Sequence, residues 1–271
     1  MIKLKNVKLE STDLEKISVQ WEVESTSDNI FKYAFDVFRG ESINGPFDKV
    51  AGPLYDTYKV SDNIAPRKMA WRNLYYVVRA TNVDGSFTES EPKSLNARLP
   101  FEALEMIRLQ GLLLREYIGR PCIVYPKRTF GQRCTCFDTL TQRRQVTSCY
   151  TCYNTGFIKG YHYPLMSYIA IGAFSKEKGV SESLIMNSAH VHAIMGIDPI
   201  VKSGDIVVER EGTRWRVQSV FTTERLRAPV HQEVDLVKIS EGDIEFKLSI
   251  SWPEGVETSP RSFSPKMDIG D

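Results

Sequence analysis

Four of the five cysteines form two close doublets, Cys134-Thr-Cys136 and Cys149-Tyr-Thr-Cys152, with twelve residues between them. A hairpin or knuckle of that length turns the chain back on itself and brings four sulfurs to one point. Four thiolates arranged tetrahedrally are the donor set of a structural Zn²⁺ site. Such a site is closed, because a catalytic zinc keeps one position for water and four sulfurs leave none. The spacing therefore predicts Cys134, Cys136, Cys149 and Cys152 as ligands of a structural Zn²⁺. Two disulfides or four free thiols are the alternatives; paired spacing without a secretion signal argues for metal. Cys149-x-x-Cys152 is an ordinary half-site, whereas Cys134-x-Cys136 is tighter than usual. Cys122 lies in the apolar run Pro121-Cys-Ile-Val-Tyr125 and reads as a buried, inert thiol.

The run Cys149-Tyr-Thr-Cys152-Tyr-Asn-Thr-Gly156 resembles the cysteine-glycine zinc motif of J-domain chaperones. That resemblance implies a turn whose backbone amides hydrogen-bond the sulfurs, and it carries no chaperone function. Asn154 stands where the motif has its first glycine, and Asn tolerates a left-handed turn.

Other chemistry is sparse. The chain has no Gly-x-Ser-x-Gly elbow, phosphate loop or His-Glu-x-x-His, and only four histidines. His162 could stand in for a sulfur ligand, but with four sulfurs available it reads as a packed or surface residue. His190 and His192 share one face of a strand, with no carboxylate placed nearby in sequence, and read as satisfied histidines rather than ligands. No enzyme activity is expected.

These residues need a frame. At 271 residues the chain accommodates two or three small domains. Lysine and arginine nearly balance aspartate and glutamate, 35 against 34, so no global field marks a polyanion binder. The N-terminus alternates apolar and charged residues like a strand and lacks the apolar core of a signal peptide. No apolar run is long enough to span a bilayer. The thiols are thus expected to meet a reducing cytosol during folding.

Residues 1–98 read as all-β. Ile17, Val19, Trp21 and Val23 fall on one face at period two, and Tyr33, Phe35 and Val37 repeat the pattern. Asn44-Gly45-Pro46 and Asn82-Val-Asp-Gly85 mark turns, the second closing a hairpin after the strand Tyr76–Ala80. Short strands at this spacing suggest a sandwich. The segment Tyr75–Ser90 resembles the final hairpin of a fibronectin type III domain, with Trp21 in the place of that family's early core tryptophan. The resemblance implies a spacer or adhesive module without chemistry. Leu74 falls where the family has its corner tyrosine, so that hydrogen bond is absent or comes from Tyr75.

Pro100 suits the first turn of a helix carrying Phe101, Leu104, Ile107, Leu112, Leu113, Leu114 and Ile118, with Gly119 as its stop. Such a helix either links two domains or lies in an assembly interface. The cysteine segment is locally basic through Lys127, Arg128, Arg133, Arg143 and Arg144, interleaved with Phe130 and Phe137. It reads as a solvated hairpin tip or a DNA contact. Gly156–Pro164 is expected to leave it as a strand. Beyond Tyr168 the pattern is again β. Strands at 205–208, 214–220 and 233–239 carry Val207, Trp215, Val217, Phe221, Val234 and Leu236 into one core, which suggests a small antiparallel barrel.

The layout Gly204-Asp-x-Val207 followed by Gly212-x-x-Trp215-x-Val217-x-x-Val220 resembles the head-completion or stopper proteins of tailed bacteriophages. The expected class is mainly β: a fibronectin-like sandwich (1–98), a linking helix (99–120), a four-cysteine zinc knuckle (121–164), a small antiparallel barrel (165–250) and an extended tail or arm (251–271) anchored by Trp252, Phe263 and Met267. The resemblance implies a virion structural protein at the phage neck, assembled in the host cytoplasm. It implies a ring with copies of itself, contact with other neck or tail proteins, candidate DNA contact through the basic knuckle, and no membrane. A zinc protein that binds nucleic acid and a carbohydrate or cell-wall enzyme with an adhesive accessory domain are the alternatives.

Overall fold

The computed structural model describes residues 2–11, 16–24, 29–64, 73–95, 99–138, 140–141, 143–146, 148–172, 190–226 and 228–252. The protein is mainly β, with one α-helix among the described residues.

The N-terminal strands are β1 (Leu4–Glu10), β2 (Ile17–Val23), β3 (Tyr33–Gly40), β4 (Phe47–Tyr55), β5 (Lys59–Asp62), β6 (Tyr75–Asn82), β7 (Phe87–Glu89) and β8 (Lys93–Ser94). They form a β1-β2-β5 sheet and a β4-β3-β6-β7 sheet, with β8 also on β6. Period-two alternation decides what each strand buries. Ile17, Val19, Trp21 and Val23 of one sheet meet Tyr33, Phe35, Val37, Tyr76, Val78 and Ala80 of the other in a single core. Tyr76 donates its hydroxyl to Asp62 at 2.8 Å, and among the described residues Tyr75 makes no such bond.

Helix α1 (Phe101–Leu113) is followed by a five-residue wider turn, 114–118. Ala103, Ile107 and Leu114, at helical spacing, are its buried stripe. The helix lies against the barrel, while Phe101 and Leu109 remain 46% and 50% exposed. Gly119 ends it as expected, through close approach. Its N–H bonds the Leu114 carbonyl at 2.9 Å, and a Cβ there would sit 2.1 Å from that oxygen.

The barrel is closed and antiparallel. Its strands are β9 (Arg120–Tyr125), β12 (Leu165–Ile171), β13 (His190–Gly196), β14 (Ile206–Glu209), β15 (Arg214–Arg225) and β16 (Ala228–Lys238), in the order β12-β13-β16-β15-β14-β9. Between β9 and β12 the chain leaves the barrel to build the cysteine segment, whose own pair is β10 (Phe137–Asp138) and β11 (Arg143–Arg144). The barrel thus takes one strand from ahead of the cysteines, because β9 alone bridges β12 and β14 and closes the cylinder. Cys122, Val124, Val207, Trp215, Val217, Val234 and Leu236 line its interior. Cys122 is fully buried, and burial, with Glu209 nearby, lifts its thiol far above the ordinary range.

Two expectations need correction. Phe221 is 67% exposed rather than in the core. The pairing of β15 with β16 shifts between Val217 and Ser219, and this bulge exchanges the two faces, so Val220 packs inward and Phe221 outward. Gly156–Pro164 is not a strand. It is a series of turns in which Lys159 and Gly160 both have φ of 68°, and only isolated bridges, Arg133↔Phe157 and Lys127↔Tyr161, tie it down. Of the expected tail anchors, Trp252 packs on the outside of β9 and β14 beside Phe246, Leu248 and Ile250. Phe263 and Met267 lie outside the described residues.

Candidate metal centre

The four cysteines converge as their spacing predicts. The Cys134 and Cys149 sulfurs lie 3.8 Å apart, those of Cys136 and Cys152 3.4 Å, and all four within 4.8 Å of one another. A tetrahedron of sulfurs at about 2.3 Å from a central ion has edges of about 3.8 Å. The cage therefore has the size of a four-sulfur metal site, and the sulfurs are well beyond the disulfide bond length of about 2.05 Å. Cys134, Cys136 and Cys152 are buried, Cys149 partly exposed.

The backbone around them is a tight turn. Tyr153, Asn154 and Gly156 all have positive φ, at 46°, 63° and 83°. Asn154 takes the left-handed position expected of it, and its Oδ1 accepts the Cys149 N–H at 3.1 Å. The Cys134 N–H bonds the Gly156 carbonyl at 3.0 Å, and the Gln145 N–H bonds that of Cys136 at 2.8 Å. Burial raises the Cys149 thiol, but N–H groups of Cys152 and Thr151 and the neighbouring sulfurs outweigh it and bring the thiol down to about 6. Burial, then the crowding of the other three sulfurs, pushes Cys136 up, and burial also raises Cys152. Cys136 and Cys152 thus hold their protons, while Cys149 loses its own easily. A bound cation would resolve that conflict by favouring four thiolates.

Among the described residues, Ile158 is the one partly buried apolar side chain besides Cys149 that packs on the cluster. The rest of the segment is anchored outward. Tyr153 and Tyr161 pack on the outer face of the barrel. Arg128, whose side chain is 1% exposed, donates from Nη2 to both oxygens of Asp56 at 2.7 Å, and Lys159 reaches the same carboxylate at 2.8 Å. Asp56 belongs to the β4–β5 connection, so the knuckle joins sandwich to barrel. Phe130 and His162 pack edge-on against Tyr58 of that connection, at 5.0 and 5.3 Å between ring centres. His162 is a packed residue, not a sulfur substitute. Burial, and then the Arg128 charge, pushes its imidazole down to about 3.

The basic residues are less available than their number in the sequence implies. Arg128 is buried in its ion pair, and Arg133 lies between the rings of Phe137 and Phe157, at 4.5 and 4.2 Å. Arg143 is exposed, and the Arg144 side chain lies outside the described set, as does that of His190. His192 has carboxylate company that sequence proximity did not reveal. Its Nδ1 is 3.0 Å from Asp235 and its Nε2 3.6 Å from Glu233, brought across by the β13–β16 register. Asp56 and Tyr58 carry no signal in the sequence, and Asp205 reads there only as the strand-entry residue after Gly204. Each is an ordinary loop or strand-entry residue until the modules are docked. Asp205, 3% exposed, accepts the Lys127 N–H at 2.8 Å and the Lys202 N–H at 2.7 Å, and burial nonetheless raises its carboxyl to about 6.

No family model and no curated protein matches the chain. Among solved structures it is similar to a crystal structure of S. aureus TarS, at 8% identity and a TM-score of 0.26, over 90% of this chain and 37% of that one. A likeness that weak carries no argument about activity.

Proposed function

We propose that the protein is a structural component of a tailed-phage virion, a ring-forming neck or head–tail connector in which a structural Zn²⁺ holds the cysteine segment. The carrying observation is where the four sulfurs sit. They close a segment with almost no apolar core, and that segment bridges the sandwich and the barrel through Asp56, Arg128 and Lys159. Four sulfurs saturate a tetrahedral ion, so the chemistry they support is cross-linking rather than turnover. Zinc fits this donor set because it binds thiolates strongly, takes tetrahedral geometry and does not cycle its oxidation state. The two-sheet N-terminal region supports the fibronectin-like reading, since its sheets β1-β2-β5 and β4-β3-β6-β7 share one core as in an immunoglobulin-like sandwich. The exposed Phe101 and Leu109 of α1 suit a ring contact between copies, made head to tail and closed by rotation. The nucleic-acid alternative has less support, because Arg128, Arg133 and Lys159 are already engaged within the fold.

Cys149→Ser tests this reading. Bound zinc falls from one ion per chain to near none, and the oligomer seen by native mass measurement weakens. A full-sized ring that carries no metal in the wild type defeats the proposal.

A further inference from the structure

A cleft of about 250 Å³ separates the outer face of the β1-β2-β5 sheet from the base of the knuckle and the barrel rim. Domain junctions are favoured places for small-molecule sites. Here the inner wall carries a surplus of hydrogen-bond donors. Its acceptors are already used: Asp56 binds Arg128 and Lys159, and Asp205 takes the N–H groups of Lys127 and Lys202. Its donors are not. The Tyr58 hydroxyl lies near Asp56 and Arg128 but makes no well-formed hydrogen bond, although Tyr58 is only 7% exposed. His162 Nδ1, which donates in one tautomer of the neutral imidazole, is buried without a partner. Among the described residues the Lys127 and Lys202 ammoniums form no direct salt bridge, although both charges act on the Asp205 carboxylate, whereas Lys59 is paired with Asp198. Lys127 lies along Gly204, where a Cβ would come within 3.3 Å of Nζ, so the missing side chain leaves its path open. Buried polar groups without a partner are rare and costly, and Tyr58 and His162 place two of them on one cleft beside the exposed Lys127 and Lys202.

Donors left over beside spent acceptors suit an oxyanion. Four of them, on separate segments, suit the tetrahedral oxygens of a phosphoryl group better than the two coplanar oxygens of a carboxylate. Glu10 and Glu22 also line the cleft, and their charge opposes a continuing polyanion and favours a small ligand. We propose that the cleft binds a phosphate ester: Tyr58, His162, Lys127 and Lys202 take its phosphoryl oxygens, and its organic part rests on Phe130 and the exposed ring of Tyr163. This inference does not depend on the virion reading or on the metal.

Calorimetric titration of the full chain with phenyl phosphate, inorganic phosphate and benzoate tests it. Both phosphates bind, phenyl phosphate the tighter, and benzoate binds more weakly. Tyr58→Phe keeps the ring and removes only the hydroxyl. Because that hydroxyl makes no well-formed hydrogen bond in the free protein, the melting temperature without ligand does not fall, while affinity for phenyl phosphate drops about tenfold or more. Lys202→Gln weakens binding similarly. The proposal is overturned by no binding at millimolar phosphate. It is equally overturned by binding that both variants retain, which marks an adventitious ion, or by a free Tyr58→Phe protein that melts lower, which shows the hydroxyl serving the fold instead.

Discussion

At the scale of single residues, two buried titratable groups set opposing pH dependences. His162 is held at about 3 against an ordinary 6.5, so the unfolded chain takes its proton first as the pH falls. Its contribution is present above pH 6.5 and is lost on acidification towards pH 3. Asp205 is raised to about 6 from 3.8, so the folded chain keeps that proton longer. Its contribution is present below pH 3.8 and is lost as the pH rises through 6. His162→Phe should therefore flatten the acid loss of stability, and Asp205→Asn should make it steeper. Denaturant midpoints across pH 3 to 7 in phosphate-free buffer check this, and identical profiles for wild type and His162→Phe would remove the burial argument.

At the scale of elements, β15 shows how one bulge redirects a strand. Trp215 and Val217 face the interior before it, and Phe221 faces solvent after it. Trp215→Ala should cost about 3–5 kcal/mol, by emptying barrel volume and removing the indole N–H that buried Glu209 accepts at 2.6 Å, which leaves that carboxylate with Arg120 at 3.5 Å. Phe221→Ser should change stability by no more than about 0.5 kcal/mol, since an exposed ring has little burial to lose. If equilibrium unfolding finds the second change as severe as the first, Phe221 is covered in solution and the α1 side of the barrel is not its only contact face.

For the whole molecule, the buried Asp56–Arg128 pair matters most to how the modules are joined. With the Arg128 side chain 1% and the Asp56 side chain 13% exposed, loss of one partner strands a charge in a dry site. Asp56→Asn should cost about 3–5 kcal/mol and separate sandwich and barrel into two unfolding transitions. The double change Asp56→Leu with Arg128→Met should recover much of that loss, because it removes both charges together. Calorimetric scans distinguish these outcomes; a single unshifted transition in Asp56→Asn would mean that the pair does not couple the modules.

What could be learned from the amino-acid order alone was whatever depends on neighbours along the chain. The period-two faces around Trp21 and Phe35, the turn at Asn82–Gly85, the stop at Gly119 and the gathering of Cys134, Cys136, Cys149 and Cys152 are all of this kind, because a strand face, a turn or a short knuckle is settled within a few residues. Closure of the barrel by β9, the reversal at Phe221, the His192–Asp235 contact and the buried meeting of Asp56 with Arg128 were decided only in three dimensions. Each depends on which distant strand supplies the partner. A pairing register or a buried charge acquires its energy from atoms far away in sequence, and no local pattern encodes their arrival.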